Sequence, residues 1–398
     1  DTLIEPVLLE VATEPRHVVV SGADVAGRQS FADFIAASGD DTAPADTTPD
    51  DLCFWLYTSG TTGMPKGAVH LHSHLLESAN LYAVPMLGIS AKDVVYSAAK
   101  LFFAYGLGNG LTFPFAVGAT VILLEGPPDP ATVCQIIREH KPTLFFGVPT
   151  LYGMLLVSKD LPTVEEHEMR LCVSAGEALP EELLHRWKAR TGTDILDGLG
   201  STEMLHIFIS NRIGEIAPGA TGKAVPGYEL RLLDENGAYC KPGEMGILEV
   251  SGPTAAVMYW NQRAKSLDTF RGAWTRTGDK YVADDNGVYT YCGRDDDMMK
   301  VGGIYVSPFE VEGALLKHEA VLEVAVVGHP DHDGLIKPKA YIVLAEGSKA
   351  SDALTKDLIA FVKKDLASFK YPRWIIYTDG LPKTATGKIQ RYKLRETA

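Results

Sequence analysis

The sequence predicts a multi-domain α/β protein. A large domain of mixed and parallel sheets with flanking helices would include an antiparallel β subdomain, followed by a small, mobile C-terminal α+β domain. Three observations predict this. From about 52 to 195, apolar strands alternate with helical patterns, and the strands read as apolar on both faces, as strands of a covered parallel sheet do. After about 214 the strands become short and sit between turn signals such as Glu235-Asn236-Gly237 and Asp285-Asn286-Gly287. A separate set of strands and helices then follows the charged boundary Gly293-Arg294-Asp295-Asp296-Asp297. That run reads as a solvated turn or, between two well-patterned units, as a hinge near Asp296. The division is therefore 1–294 and 295–398, with the β subdomain at about 214–294.

The elements follow in order. Residues 4–11 are helix-like, 17–20 a short strand and 31–37 a helix, and the acidic Thr/Pro-rich run 40–51 is a surface linker. The apolar run Leu52-Cys53-Phe54-Trp55-Leu56 is a strand that empties into a loop. A helix is expected over 75–82, which leaves Gly67 to His70 where the chain passes from loop to helix. Segments 120–124 and 143–147 are continuous apolar strands, and 131–140 between them spaces Val133, Ile136 and Ile137 at helical intervals. Strand 170–173 leads through a glycine turn into a helix from Pro180. The β subdomain takes strands 229–233, 246–250 and 288–292. Ser307-Pro308-Phe309-Glu310 is a capping box with proline at the first helical position, opening a helix to about Lys317. Strands 322–327 and 340–344 and an amphipathic helix over 352–365 complete the chain.

The 398 residues supply ample material for a large core, and 46% hydrophobic with 22% charged residues is ordinary for a globular protein. A formal charge of −14 argues against nucleic acid or an anionic membrane as a partner. An anionic substrate would then need locally placed cations, for which Lys66, Arg294, Lys300 and Lys388 are candidates. The five cysteines are scattered without a CxxC, which suits a reducing cytosol and neither a disulfide framework nor a zinc site. No apolar run approaches transmembrane length, and the first residues lack the basic-then-apolar layout of a signal peptide. The sequence sets no oligomeric state, and a homodimer is compatible with it.

The stretch richest in chemistry is Tyr57-Thr58-Ser59-Gly60-Thr61-Thr62-Gly63-Met64-Pro65-Lys66-Gly67, which packs four hydroxyls and two glycines into residues 58–63. Backbone N–H groups, hydroxyls and one cation at the end of a strand are what a polyphosphate needs. The loop lacks the terminal Gly-Lys-Ser/Thr of a Walker A motif, and read alone it is equally a Ser/Thr/Gly surface turn. Glu203 in Asp197-Gly198-Leu199-Gly200-Ser201-Thr202-Glu203 is an exposed loop carboxylate or a magnesium ligand beside phosphates. Ser174-Ala175-Gly176-Glu177-Ala178-Leu179 is a strand-to-helix turn open to close approach by a ligand. Asp279 in Thr277-Gly278-Asp279 is a turn residue unless its spacing to Arg294 is used, and Lys388 in Thr386-Gly387-Lys388 sits at a loop tip in a basic tail. His70, His72 and His74 have the spacing of one strand face, yet no acidic or thiol partner is near, so they read as packing and turn residues; His329 and His332 read as surface loop.

Motif by motif, from about 52 to the C-terminus, these stretches resemble the adenylate-forming superfamily of acyl-CoA ligases, peptide-synthetase adenylation domains and luciferases. The resemblance implies ATP, magnesium and, for the ligase type, coenzyme A. Thr58, Ser59, Gly60, Thr61, Thr62, Gly63 and Lys66 would hold the β- and γ-phosphates, and Ala175, Gly176 and Glu177 would form the adenine loop. Asp197 and Gly198 would join the nucleotide site, Thr202 would meet the α-phosphate and Glu203 would ligate magnesium. Asp279 and Arg294 would bind the ribose. Lys388 would bridge the acyl carboxylate and the α-phosphate, stabilising charge that develops in the transition state. Rotation about Asp296 would withdraw Lys388 and bring Lys300 and the small residues Gly302 and Gly303 to a pantetheine thiol. Leu199 departs from the pattern, since an aromatic residue often stands there to stack on adenine. Relatives also carry a longer segment ahead of the phosphate loop, so the sequence reads as a fragment lacking the first subdomain of that fold.

The acid to be activated is read from Lys100-Leu101-Phe102-Phe103-Ala104-Tyr105-Gly106, where peptide-synthetase domains place an aspartate for a substrate ammonium group and this chain has none. The aromatic and small residues there suit a flat apolar pocket or, equally, a helix-entry core. Together with Gly200 to Phe208 the stretch resembles the benzoate–CoA ligase branch, which implies that Ala104, Tyr105, Gly200, His206 and Ile207 line an aryl pocket. Benzoate and 4-hydroxybenzoate are not distinguished. The rival from another class is an incomplete fragment that binds ATP or aryl acid without turnover.

Overall fold

The computed structural model describes residues 4–10, 15, 17–22, 25–39, 43–59, 65–295, 297–302, 304–367, 369–383 and 389–396. These divide into two compact units, one within Asp1–Thr48 and one within Pro49–Ala398. The first holds helix Ile4–Glu10, a parallel pair Val19–Val20 and Gln29–Ser30, and helix Phe31–Ala36, whose N-cap Ser30 accepts from Asp33 N at 3.0 Å.

The second unit opens with an antiparallel hairpin of Leu52–Ser59 and Pro65–Leu71, to which Met258–Tyr259 adds a third strand. This corrects the expected loop-to-helix passage at Gly67 to His70. The chain continues as a strand to Leu71, and the helix begins at His72. The reason is tertiary: Ala68 and Val69 are fully buried and pair with Tyr259 and Met258, partners that local pattern cannot reveal. His70 therefore lies on a strand, while His72 and His74 lie on a helix, so the three do not share one strand face.

Helix His72–Ser78 runs on through the π-helical turns Ala79–Ala83 into Val84–Leu87. Ala104–Leu107 likewise continues through π-helical Gly108–Thr112 into Phe113–Val117. Beside them lies a seven-stranded sheet in the order Lys223–Ala224, Ile207–Ser210, Ile195–Gly200, Leu171–Ala175, Leu144–Gly147, Val94–Ser97, Thr120–Ile122. The last five are parallel and the first two antiparallel. Alternate residues of the parallel strands go to opposite cores. Phe146 and Val173 join Tyr82, Phe113 and Phe208, whereas Phe145 and Cys172 join Tyr152 and Trp187 on helices Pro149–Val157 and Glu181–Thr191. A sheet covered on both faces has no polar face to show, which is why these strands read as unbroken apolar runs.

The antiparallel subdomain pairs Glu229–Leu233, Met245–Ser251, Trp274–Ala283 and Phe270–Arg271 in that order, with Tyr289–Arg294 also on Trp274–Ala283. After it comes the hairpin Met299–Val301 and Ile304–Val306, then the sheet Val321–Pro330, Ile336–Leu344, Trp374–Tyr377 with helices Pro308–Leu316, Asp352–Asp365 and Arg391–Glu396. Ser307 caps the helix as expected, accepting from Glu310 N at 3.3 Å, but the Glu310 carboxylate pairs with Lys370 rather than closing a capping box. His329 belongs to a strand and meets Trp374 edge-on at 4.9 Å, whereas His332 is exposed. Asp296, at the expected hinge, lies outside the described residues.

Candidate active site

The parallel strands Val94–Ser97, Leu144–Gly147, Leu171–Ala175 and Ile195–Gly200 point the same way, so the loops after their C-terminal ends gather at one edge. After Ala175 the chain turns at Gly176, whose φ of 92° is left-handed. Glu177 follows, with its Oε2 accepting from the Thr150 hydroxyl at 2.8 Å. Asp197 is buried on the next strand, and burial pushes its carboxyl well above the usual range against the N–H groups of Gly198 and Leu179.

The loop after Gly200 supplies two kinds of group. Its first part carries Thr202 and Glu203. Tyr259 donates its hydroxyl to Glu203 Oε1 at 2.6 Å, and Lys66 donates to the same hydroxyl oxygen at 3.0 Å while standing 3.6 Å from Oε1. Burial and the Glu203 charge push the Tyr259 phenol upward, so it is the neutral donor of this trio. Both contacts fall on Oε1, and neither uses Oε2. A partly exposed carboxylate whose Oε2 makes none of these contacts is a hard-oxygen donor, which fits a magnesium ion shared with phosphate oxygens. Such an ion would neutralise charge on the leaving phosphates. Behind Thr202, His70 Nε2 meets its carbonyl at 2.8 Å, and His70 Nδ1 meets His74 Nδ1 at 3.0 Å. Burial lowers both imidazoles to about 4, so the pair is neutral. A Thr202 carbonyl contact makes His70 Nε2 the donor, and His74 Nδ1 also faces the Leu71 N–H at 3.4 Å.

The second part of the loop turns inward. Leu205, at φ 64°, is a left-handed non-glycine residue, and His206 beyond it is buried. His206 Nε2 meets Asn109 Oδ1 at 3.0 Å. Its ring packs against Phe113 at 4.4 Å, Tyr82 at 5.5 Å and Tyr105 at 5.6 Å. Burial lowers its pKa to about 3, so it is neutral. Tyr82 and Asn109 come from the two π-helical stretches, a distortion frequent at functional sites. Tyr105 places its hydroxyl 3.1 Å from Val173 O and 3.2 Å from Gly147 O. A Cβ on Gly200 would stand 2.7 Å from His206 O, and one on Gly108 2.4 Å from His206 Cδ2, so both backbones approach as only glycine permits.

Elsewhere, Asp279 and Arg294 are cross-strand partners, with Arg294 Nη1 3.2 Å from Asp279 Oδ1. Lys383 bridges Ile389, and Ile389 N donates to Glu177 Oε1 at 3.2 Å, so the described end of the C-terminal loop lies on the Gly176 turn.

The family model of AMP-binding enzymes matches residues 3–260, and that of the AMP-binding enzyme C-terminal domain matches residues 310–388. The chain belongs to the AMP-binding enzyme family. A benzoate–CoA ligase of Thauera aromatica is 59% identical over 99% of this chain and 74% of its own length. A 4-hydroxybenzoate–CoA/benzoate–CoA ligase of Rhodopseudomonas palustris is 48% identical over 98% of this chain and 73% of its own. A benzoate CoA ligase structure from Burkholderia xenovorans LB400 superposes with a TM-score of 0.90 at 52% identity, covering 96% of this chain and 79% of that one.

In this AMP-binding enzyme part of the expected set lies toward one edge, namely Lys66, Ala175, Gly176, Glu177, Asp197, Thr202, Glu203, Tyr105, Gly200 and His206, whereas Asp279 and Arg294 are paired with each other on the β subdomain. Thr58 faces Lys66 across the hairpin, and Ser59 faces Pro65. Gly60, Thr61, Thr62, Gly63, Gly303 and Lys388 lie outside the described residues. Lys300 and Gly302 are not brought to that edge by any contact described. Lys300 is exposed at 5.3 Å from the Tyr305 ring centroid, and Tyr305 in turn bonds Glu235 of the β subdomain. Sequence reasoning missed Tyr259, Asn109 and Tyr82, and gave His70 and His74 no more than packing. The histidine spacing was a visible signal, whereas Tyr259 and Asn109 carried none that separates them from core residues.

Proposed function

We propose that this chain is an AMP-forming acid–thiol ligase that converts benzoate, ATP and coenzyme A to benzoyl-CoA, AMP and pyrophosphate. In the first half-reaction a benzoate oxygen attacks the α-phosphorus, the bond to the bridging oxygen breaks, and pyrophosphate leaves. In the second, the coenzyme A thiol gives up its proton, its sulfur attacks the benzoyl carbonyl, and AMP leaves. The observation that carries the reading is the loop 200–207, which joins a carboxylate–lysine–tyrosine cluster to a buried, uncharged aromatic cluster around His206. A polyphosphate and a flat apolar acid are the two substrates such a loop suits. The resemblance to the benzoate–CoA ligases supports the acid.

On this reading Thr58 to Gly63 and Lys66 cradle the β- and γ-phosphates, Glu203 holds magnesium, Asp279 and Arg294 hold the ribose, and Lys388 meets the reacting carboxylate. Ile389, placed on Glu177, supports that last assignment. The large domain is 1–294 and the lid 295–398, turning at Asp296, and Lys300 with Gly302 and Gly303 serves the thiol step. The working location is the cytoplasm; among the described residues no helix is long and apolar enough to cross a membrane. A ring-hydroxylated benzoate is a second substrate reading, favoured by the polar pair His206–Asn109 at the pocket. Benzoate-dependent ATP–pyrophosphate exchange tests the function. Exchange that needs benzoate and magnesium is expected, followed by benzoyl-CoA when the thiol is added. A folded protein that binds ATP without exchange would be the non-turnover fragment instead.

A further inference from the structure

One segment, 254–262, stitches together the two halves of the metal and phosphate end. The Thr254 hydroxyl donates to Met204 O at 2.7 Å and Ala256 N to Glu203 O at 2.7 Å, so the segment first grips the carboxylate loop. It then pairs as Met258–Tyr259 with Val69 and Ala68, and Trp260 N donates to Gly67 O at 2.8 Å. Gln262 Nε2 reaches Pro65 O at 3.0 Å, so the segment ends on the strand that leaves the phosphate loop. At its centre Tyr259, only 2% exposed, is the one side chain among those described that touches both Glu203 and Lys66. The chain of donation is directional: the Lys66 ammonium donates to the phenol oxygen, and the phenol O–H donates to Glu203 Oε1. The ammonium also lies 4.4 Å from the ring centroid, so the ring holds it from the side as well.

We propose that Tyr259 is a positioning residue for the metal carboxylate, fixing the Glu203 rotamer and holding the Lys66 ammonium at ion-pair distance without a direct hydrogen bond to it, and that it thereby sets the affinity for the divalent cation that accompanies ATP. A glutamate has several rotatable bonds, and one already held by a donor on Oε1 presents its other oxygen with less entropy to lose. Without the hydroxyl, the Lys66 ammonium at 3.6 Å becomes the nearest donor to Glu203 and competes with the cation. Both effects weaken metal binding. The inference rests on Glu203 being the metal carboxylate.

The test is calorimetric ATP binding to the full chain across a free-magnesium series, with Tyr259→Phe, Glu203→Gln and Trp260→Phe. Tyr259→Phe removes a single oxygen. It should move the magnesium midpoint to roughly tenfold higher concentration, leaving ATP affinity at saturating magnesium, benzoate affinity and melting temperature near the parent values. Trp260→Phe, which keeps the backbone bond to Gly67 O, should not move the midpoint. An unmoved midpoint in Tyr259→Phe, with the dependence lost in Glu203→Gln, overturns the role of Tyr259 alone. Full magnesium dependence in Glu203→Gln overturns the metal reading beneath it. An equal shift in Trp260→Phe assigns the effect to packing of the segment and overturns the role of the hydroxyl.

Discussion

Glu203 and His206 are three positions apart on one loop, yet they occupy opposite kinds of surroundings. Glu203 is partly open to solvent and sits among an ammonium and a phenol donor. His206 is buried, neutral and enclosed by Phe113, Tyr82 and Tyr105. The reversal between them is made by Leu205 in a left-handed conformation and by glycine at 200, where a side chain would strike His206 O. On the proposed assignment, the difference teaches how one loop serves two substrates. Charge is kept where anions and a cation exchange with water, and it is excluded where an apolar ring is recognised by shape. A protonated imidazole at 206 would be a buried, unpaired cation, which the pocket disfavours strongly.

Changes at the charged end should cause the largest effects and spare the aryl end. On the proposed assignment of Lys388 to the reacting carboxylate, Lys388→Ala should lower benzoyl-adenylate formation by about 10²–10³-fold, measured by pyrophosphate exchange. Thioesterification of supplied benzoyl-AMP should stay near the parent rate. Lys300→Ala should show the opposite bias, and equal loss of both half-reactions in either variant would contradict the division of labour.

Changes at the neutral end should alter choice more than rate. Tyr105→Phe or His206→Asn should shift the kcat/KM ratio between benzoate and ring-hydroxylated benzoates by roughly tenfold, the scale of one pocket contact. An unchanged ratio across a panel of aryl acids would detach both residues from the acid.

A further readout is stability against pH. The folded pKa of His206, about 3, lies below its ordinary value of 6.5, so the folded state binds fewer protons than the unfolded chain between those values. Its contribution is therefore present above pH 6.5 and lost as pH falls toward 3, at about 1.4 kcal/mol per pH unit. Denaturant midpoints should fall across this window, with His70 and His74 adding to the slope, and His206→Asn should reduce it.

The same contrast explains what was legible in the sequence. The parallel sheet announced itself because strands such as Leu144–Gly147 and Leu171–Ala175 are apolar on both faces. Helix Asp352–Asp365 was placed to the residue by its amphipathic period, and the structure adds the Ser351 cap. Glu203 and Lys66 stood out as candidates because charged residues beside glycine-rich loops carry a chemical signature, and the family resemblance gave Glu203 its role. Tyr259, Asn109 and Tyr82 were not, because a buried polar side chain in an apolar run looks like core until its partner is known. Those partners are remote in sequence: Tyr259 reaches back to Lys66, and Asn109 forward to His206. The strand Pro65–Leu71 was misread for the same reason, since its second neighbour is Met258–Tyr259.

The most direct test of two separable ends is a paired measurement on Glu203→Gln and His206→Asn, following the magnesium midpoint and the benzoate KM in the exchange assay. Glu203→Gln should move the magnesium midpoint and leave the benzoate KM in place, and His206→Asn should do the reverse. A shift of both quantities in either variant would mean that the loop acts as one site, and would contradict the account.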